Sequence, residues 1–287
     1  MKQEINRKSN WKNVPKIINT IPNDKSKLIM YVDESGEGNK KVLKRAFDSK
    51  NKCEPYVQRN DLYILNGIVL SGQQSTVLAN RLNNLKNTIQ PKGVFNYSNK
   101  GVRPIVLRNH DMTSKNPPFN NLSDLVYTEL ENIIKKTKYT QIASGLNYYC
   151  FTQNRKDTLD LSPLLMCLGA LIVNYASYLN SVNKSGIIIF EEETKVHDKM
   201  KLDYIVKILK HGTKNHNKDF FAKISAVYFR KKWTEEKPDE FVTTAGLELA
   251  DLTLSPLRRI FHPEFILIQN KLYNYPNYMN IGISIIT

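Results

Sequence analysis

Short apolar runs alternate along the chain with longer segments in which apolar residues recur at helical spacing. The continuous apolar runs, each bounded by polar residues, predict buried strands at residues 28–32, 62–70 and 187–190. The helical spacing predicts helices over residues 75–88, 123–134, 162–179, 197–209 and 244–261. The pattern as a whole is typical of an α/β protein with a mixed sheet flanked by helices.

Weaker patterns complete the predicted organisation. Further strands are predicted at residues 105–107, 140–150 and 220–229. Residues 37–60 are polar and basic, and we interpret them as a surface loop or a long hairpin connection. The chain is therefore predicted to form a single domain over residues 28–287, with a basic N-terminal extension at 1–27 and a basic insertion around 37–60.

Charge is the feature of the composition that bears most directly on function. Lys and Arg total 42 against 27 Asp and Glu, which gives a formal net charge of +15. Such an excess favours a polyanionic partner, and nucleic acid is the first candidate. A lysine-rich bias shared by a whole proteome is the alternative explanation.

The cysteines and the apolar segments bear on the compartment. Cys53, Cys150 and Cys167 are odd in number, widely spaced and without a C-x-x-C pair, which argues against a disulfide framework and against a structural zinc site. Residues 1–27 lack the apolar stretch of a signal peptide, and the longest apolar run, 164–173, is too short to span a bilayer. We therefore expect a soluble, cytoplasmic protein.

Four carboxylates stand at positions where a charge is costly. Asp33 and Glu191 each follow a strongly apolar strand, and in an open α/β sheet the carboxyl ends of the strands are where ligand sites form. Glu248 and Asp251 are three residues apart on one face of the last predicted helix. Hard carboxylate oxygens suit Mg²⁺, which can neutralise a phosphodiester and activate water for its hydrolysis.

Each acid also has an interpretation that involves no ligand. Asp33 can be a turn residue that accepts hydrogen bonds from the following amides, and Glu191 can belong to the solvated flank of the next helix. Glu248 can be exposed on its helix. Asp251 is harder to explain in this way, because leucines surround it and an unpaired buried carboxylate is costly.

Basic residues near these acids are candidates for phosphate contacts. The nucleic-acid-binding residues predicted on this basis are Lys40, Lys41, Arg230, Lys231, Lys232 and Arg258. Trp233 follows the second group and can stack on a base, although packing is the favoured interpretation for it. Arg258 can instead interact with the C-terminus of its helix.

Several blocks in a fixed order resemble a known family. Residues 30–36 read M-Y-V-D-E-S-G, residues 246–252 read G-L-E-L-A-D-L, and between them lie I-I-F-E at 188–191 and a looser block at 111–119. In these motifs the chain resembles the bacterial and phage proteins grouped as domain-of-unknown-function family 3800, in the RNase H-like superfamily. The similarity covers roughly residues 28–275, and its two end motifs are the most specific.

The resemblance implies an RNase H-like domain and a metal-dependent nuclease that hydrolyses phosphodiester bonds in RNA or DNA. By analogy with RNase H-like nucleases, Asp33 would bridge two Mg²⁺ or Mn²⁺ ions from the first strand. Glu191 and Asp251 would complete the catalytic and metal-binding set from a later strand and the last helix. Glu248 stands where the family commonly has Gln, and it would add a fourth or outer ligand.

Two further residues are not assigned to the site. Glu34 points to the opposite side of the first strand if the alternation of side chains persists. The family often carries a His in its mid-chain block, which in this chain falls at Arg108, whereas His110 is two residues away. We therefore favour a packing role for His110.

Two other functions compete with the nuclease hypothesis. One is a noncatalytic nucleic-acid-binding or defence-associated interaction module on the same fold. The other is an actin- or sugar-kinase-like ATPase, in which residues 33–38 would grip a phosphate. That architecture needs two domains and several Gly-rich loops, and 287 residues with 12 Gly hardly provide them.

Overall fold

A computed structural model defines the fold. The residues it describes are 15–21, 26–49, 62–98, 101–152, 161–237, 240–254, 257 and 283–286. The strands are β1 (Leu28–Ser35), β2 (Leu62–Ser71), β3 (Val94–Tyr97), β4 (Gly101–Pro104), β5 (Thr140–Asn147), β6 (Gly186–Glu191), β7 (Ile224–Arg230), β8 (Trp233–Lys237), β9 (Glu240–Thr243) and β10 (Ile283–Ile286).

Eight α-helices surround these strands in the described part of the chain. They are α1 (Lys41–Asp48), α2 (Gly72–Ile89), α3 (Asn109–Thr113), α4 (Asp124–Lys136), α5 (Tyr148–Thr152), α6 (Pro163–Ser181), α7 (Lys195–His211) and α8 (Ala245–Leu252).

The central sheet has six strands in the order β10-β5-β2-β1-β6-β7. β1 is antiparallel to β2, and β2 is antiparallel to β5. β1, β6 and β7 are parallel to one another, as are β5 and β10. The predicted α/β class, with an RNase H-like mixed sheet flanked by helices, is confirmed.

Both faces of the sheet are covered, and this explains why its strands are apolar throughout. Ile29 and Tyr31 of β1 pack with α2, α4 and α8 on one side, which we call the α8 face. Met30 and Val32 pack with α6 and α7 on the other side, which we call the α6 face. Since side chains alternate along a strand, Asp33 belongs to the α8 face and Glu34 to the α6 face.

The turn that ends β1 depends on a glycine. Gly36 has φ +105°, a conformation that side chains with a Cβ rarely adopt. A Cβ at this position would also overlap the carbonyl oxygen of Leu62 at the start of β2. Gly36 therefore lets the chain leave the sheet directly after the acidic pair.

Several predicted segments differ from the structure. The predicted loop at 37–60 contains α1, whose Val42, Leu43 and Ala46 are buried. The strand predicted at residues 105–107 is not formed. The β3–β4 and β8–β9 hairpins were not predicted. The basic extension also has an ordered part, since the amide of Ile18 donates to the carbonyl of Phe229 at the edge of β7 (3.0 Å).

α6 is the helix, among the described residues, that is long and apolar enough to cross a membrane. Of its most apolar 18-residue stretch, 56% is buried inside the protein. Its buried side chains, among them Leu168, Leu171 and Ile172, pack against the α6 face of the sheet. α6 is therefore a core helix, in agreement with the expectation of a soluble protein.

Candidate active site

Three of the predicted acids come from distant parts of the chain to one end of the sheet. Asp33 lies near the end of β1, and Glu191 is the last residue of β6. Val32 pairs with Phe190 in the parallel ladder, so Asp33 and Glu191 extend from the same level of the sheet. Asp251 reaches the same place from α8, which packs across β1 and β2.

The ammonium group of Lys232 lies at the centre of these acids. Its Nζ is 3.1 Å from Oδ2 of Asp33, 3.0 Å from Oε2 of Glu191 and 2.6 Å from Oδ2 of Asp251. The side chains of Lys232 and Asp33 are 5% and 7% exposed, while those of Glu191 and Asp251 are 26% and 19% exposed. The cluster is thus buried on the Asp33 side and opens to solvent beside Glu191 and Asp251.

Backbone contacts fix Lys232 relative to α8. The amide of Thr244, the residue before α8, donates to the carbonyl of Lys232 (2.7 Å). The Thr244 hydroxyl donates to the carbonyl of Lys231 (3.0 Å) and accepts from Nε of Arg230 (2.7 Å). The segment after β7 and the start of α8 therefore form one hydrogen-bonded unit, which holds Lys232 and Asp251 together.

A second set of contacts fixes α8 on the sheet. Asn66 of β2, opposite Asp33 in the ladder, donates to the carbonyl of Ala250 (2.7 Å) and to the Thr253 hydroxyl (2.9 Å). Gln141 of β5 donates to the Asn66 side-chain oxygen (2.7 Å). This fully buried network satisfies polar groups that would otherwise be costly, and it places Asp251 above Asp33.

The electrostatics of the cluster reflect its excess of acid. Burial raises the pKa of Asp33 well above its usual range, because the attraction of Lys232 is offset by the nearby charges of Asp251 and Glu191. Burial alone would lower the pKa of Lys232, but the carboxylates of Asp33, Asp251 and Glu191 outweigh it and raise that pKa. Lys232 is therefore a permanent cation, and the carboxylates outnumber it three to one.

Glu248, the fourth predicted ligand, does not join the cluster. Its carboxylate is fully buried, lies 2.7 Å from Nζ of Lys86 and accepts from the amide of Leu107 (2.8 Å). Lys86 in turn donates to the Thr243 hydroxyl (2.6 Å). Glu248 thus ties α8 to α2 and to the segment that follows β4, which is a structural role.

The predicted nucleic-acid-binding residues have different surroundings. Lys40, Lys41 and Lys231 are exposed. Arg230 is 2% exposed, and its guanidinium donates to the backbone carbonyls of Ile18 and Asn19. Like Lys232, it therefore lies inside the protein and presents no charge on the surface. Arg258 lies outside the described residues.

The segment after β4 also reaches the acids, which the sequence did not indicate. The amide of Asn109 donates to Oδ1 of Asp251 (3.1 Å). Nη2 of Arg108 is 4.0 Å from Oε1 of Glu191, and its side chain is 44% exposed. Arg108 therefore stands at the open rim of the cluster. His110 is exposed on α3, and no contact joins it to the acids among the bonds of the described residues.

A second acid–lysine cluster lies on the α6 face. Glu34 accepts from the hydroxyl of Tyr63 (2.6 Å), and Nζ of Lys201 lies 3.4 Å from Glu34 and 3.2 Å from Glu193. Burial, together with hydrogen bonding and repulsion from Glu34, raises the pKa of Glu193 to about 8 despite Lys201. The prediction that Glu34 points away from Asp33 is confirmed by these contacts.

The geometry around Lys232 is that of an ammonium site. Within the described ranges, no group of three or more His, Cys, Asp or Glu side chains has the arrangement of a metal centre. The three acids surround Nζ at 2.6–3.1 Å, which are hydrogen-bond distances, whereas Mg²⁺ binds oxygen at about 2.1 Å. A metal ion would therefore bind beside Lys232 or in its place.

Comparison of the chain with protein-family models and with curated proteins finds no match. The resemblance to family 3800 stays a prediction that rests on the motifs themselves.

Proposed function

We propose that the protein is a metal-dependent nuclease that hydrolyses phosphodiester bonds in RNA or DNA. The observation that supports this most is the convergence of Asp33, Glu191 and Asp251, each with an oxygen within 3.1 Å of one point, Nζ of Lys232. These residues lie 60 or more positions apart in the chain. Acids assembled from separate segments at a strand edge are costly for stability, which favours a functional role.

The donor set fits a hard divalent cation. Asp33, Glu191 and Asp251 would hold Mg²⁺ or Mn²⁺, because both ions prefer carboxylate oxygen. Burial first, and then the charges of Asp251 and Glu191, raise the pKa of Asp33 despite Lys232, and a bound cation would favour its ionised form. When bound, the ion would polarise the phosphate and lower the pKa of an attacking water.

The residues of the chain supply the remaining requirements. The partly exposed sides of Glu191 and Asp251 leave an opening through which a phosphodiester can approach. Arg108 stands at that opening, where its guanidinium can contact a phosphate oxygen. The Asn66–Gln141 network and the Glu248–Lys86 pair hold α8 rigidly, so Asp251 stays in position without rearrangement.

The substrate class follows from charge. A formal net charge of +15 favours a polyanion, and exposed Lys40, Lys41 and Lys231 can add phosphate contacts of the kind that carry no sequence information. We place this activity in the cytoplasm, where free thiols such as that of buried Cys167 persist.

Cleavage assays test the proposal. Purified protein should cut at least one of labelled RNA, DNA or RNA–DNA hybrid with Mn²⁺ or Mg²⁺, and EDTA should stop the reaction. Asp251→Asn should abolish cleavage while binding to the same oligonucleotides, followed by fluorescence anisotropy, changes little. Failure to cut any of the three substrates, or equal cleavage by the variant, would show that the proposal is wrong.

A noncatalytic nucleic-acid-binding or defence-associated module is the second candidate. The observation in its favour is again Lys232, since an ammonium group already fills the centre of the acids. In that case the cluster would serve only to fix α8 against the sheet. Oligonucleotide binding that is insensitive to EDTA, together with absence of cleavage, would favour this module.

A further inference from the structure

We propose that Lys232 takes the place of one of the two metal ions expected by analogy with RNase H-like nucleases, so that the cluster binds a single divalent cation. This inference rests on the proposed function and goes beyond it, because it assigns the metal stoichiometry and a positioning role to one lysine. Lys232 holds one oxygen of each acid at a fixed place and supplies one positive charge where a divalent ion would supply two.

The first argument is steric. Nζ of Lys232 contacts an oxygen of all three acids at 2.6–3.1 Å, and the side chain is only 5% exposed. Its carbonyl is hydrogen-bonded to the amide of Thr244, and the carbonyl of Lys231 accepts from the Thr244 hydroxyl. The backbone of Lys231 and Lys232 is therefore fixed, and the ammonium is held against the three acids. A second ion cannot share that position.

The second argument is charge balance. When all three acids are ionised, as metal binding requires, the carboxylates carry a charge of minus three and Lys232 supplies plus one. One divalent ion makes this cluster neutral, whereas two would leave it strongly positive in a half-buried place. Arg108 is left out of this count, because it lies 4.0 Å from Glu191 and is 44% exposed. A phosphate of the substrate can balance its positive charge.

The third argument concerns the oxygens that Lys232 leaves available. It contacts Oδ2 of Asp33 and Oε2 of Glu191, which leaves Oδ1 of Asp33 and Oε1 of Glu191, the latter 4.0 Å from the half-exposed guanidinium of Arg108. Oδ1 of Asp251 is partly committed, because it accepts from the amide of Asn109. Asp33 and Glu191 are therefore the principal ligands for the single ion, and Asp251 is chiefly the partner of Lys232.

Counting bound Mn²⁺ tests the inference without an activity assay. Isothermal titration with MnCl₂, supported by the paramagnetic resonance signal of free Mn²⁺, gives the number of ions for each protein. The Asp33→Asn/Glu191→Gln double variant gives the number of Mn²⁺ ions bound elsewhere, and this number is subtracted from the wild-type count. Wild-type protein is expected to bind one Mn²⁺ at the cluster.

Lys232→Met removes the ammonium and keeps the length of the side chain. We expect this variant to bind two Mn²⁺, the first about tenfold more tightly than in wild type, because repulsion from a cation a few ångströms away is lost. Lys207→Met is the control, since this exposed lysine lies on α7, which packs on the α6 face of the sheet, and it should still bind one Mn²⁺ with unchanged affinity.

The outcomes separate this inference from the proposed function. Two Mn²⁺ in wild type, or none, would overturn the assignment of Lys232, whatever the protein cleaves. One Mn²⁺ in wild type without any cleavage would sustain the assignment and refute the nuclease. A folded Lys232→Met protein that binds one Mn²⁺ or none also overturns it. If that variant does not fold by near-UV circular dichroism, the wild-type count alone decides.

Discussion

Two acid–lysine clusters lie back to back on β1, and they differ in how their acids are neutralised. Asp33 meets two further acids and one lysine on the α8 face, whereas Glu34 meets one further acid and Lys201 on the α6 face. With the pKa of Glu193 raised to about 8, the second cluster holds a proton at neutral pH and is balanced by its lysine. The first cluster keeps an excess of negative charge.

This contrast teaches that the number of acids matters less than what neutralises them. Lys201 and a proton on Glu193 balance the charge of Glu34 and Glu193, and the hydroxyl of Tyr63 donates a hydrogen bond to Glu34. Their cluster therefore serves to join β1, β2 and α7. The Asp33 cluster has three acids for one lysine and opens to solvent, which is why we propose it as the cation site.

The largest expected effect is a difference in cleavage between variants of two adjacent residues, one in each cluster. Asp33→Asn should reduce metal-dependent cleavage roughly 1,000-fold, because it removes a charged ligand from the cluster. Glu34→Gln, one residue away on the opposite face, should change it by less than about fivefold. Initial rates on the best oligonucleotide substrate measure both. Equal losses would mean that the two faces do not differ in function.

A second prediction concerns the structural role of Glu248 on α8. Lys86→Met should lower the free energy of unfolding by about 3 kcal/mol, because it leaves the carboxylate of Glu248 buried and unpaired. Urea denaturation measures the change. Glu131→Gln is the control, since its pair with Lys135 is about half exposed, and it should cost less than about 0.5 kcal/mol. A negligible effect of Lys86→Met would contradict the structural role of Glu248.

A third prediction concerns the approach of α8 to β1. A Cβ at Gly246 would overlap the ring of Tyr31, so Gly246→Ala should lower the free energy of unfolding by about 2 kcal/mol and reduce cleavage through Asp251. Gly72→Ala is the matched control, because no atom lies within 4 Å of a Cβ at that position. Thermal denaturation that gives the same result for both variants would argue against close packing of α8.

The smallest expected effect concerns pH and the α6-face cluster. Because the pKa of Glu193 is about 8 in the folded protein and 4.5 as its ordinary value, the folded state binds more protons between these values. Its contribution to stability is present below pH 4.5 and is lost as pH rises through 8. The lowered pKa of Glu34 has the opposite effect on stability. Its contribution is lost only as pH falls below the ordinary pKa of a Glu carboxyl.

Wild-type protein should therefore lose roughly 1 kcal/mol more stability between pH 5 and pH 9 than Glu193→Gln does. The difference between the two proteins removes the contribution of Asp33, whose raised pKa acts in the same direction. Urea denaturation at a series of pH values measures it. Parallel stability profiles would mean that Glu193 is ionised at neutral pH and that both clusters are short of positive charge.

The sequence predicts the part of the site that strand ends and helix motifs mark. Asp33 and Glu191 lie at or near the ends of strands that are evidently apolar, and Asp251 lies on a helix with clear apolar spacing. The sequence was therefore sufficient to predict where these acids lie in the fold. The sheet order then brings the first two together, because parallel β1 and β6 are neighbours. The order of the strands is seen only in the structure, because periodicity does not say which strands pair.

The central lysine could not be recognised in the same way. Lys232 lies in a run with Arg230 and Lys231, where charge alone predicts an exposed basic surface. The one available signal was alternation, which puts Arg230 and Lys232 on one side of an extended segment and Lys231 on the other. The partner of Glu248 was equally hidden, because Lys86 is 162 residues away and is brought to it only by tertiary packing.

The missed secondary structure has similar physical reasons. The β8–β9 hairpin contains Glu235, Glu236 and Lys237, and such polar strands lie outside the core and lack an apolar pattern. α1 is eight residues long and buries three side chains in a polar segment, so its apolar pattern is short. The buried side chains of α1 join the core on the α6 face, and the β8–β9 hairpin forms a separate two-stranded sheet.

Anomalous diffraction from crystals soaked in MnCl₂ tests the central claim most directly. The account predicts one Mn²⁺ peak in contact with carboxylate oxygens of Asp33 and Glu191, with Nζ of Lys232 still close to Asp251. Absence of a peak at these carboxylates, under Mn²⁺ concentrations at which the metal binds elsewhere or cleavage is observed, would contradict it. So would a peak confined to Glu34 and Glu193 on the α6 face.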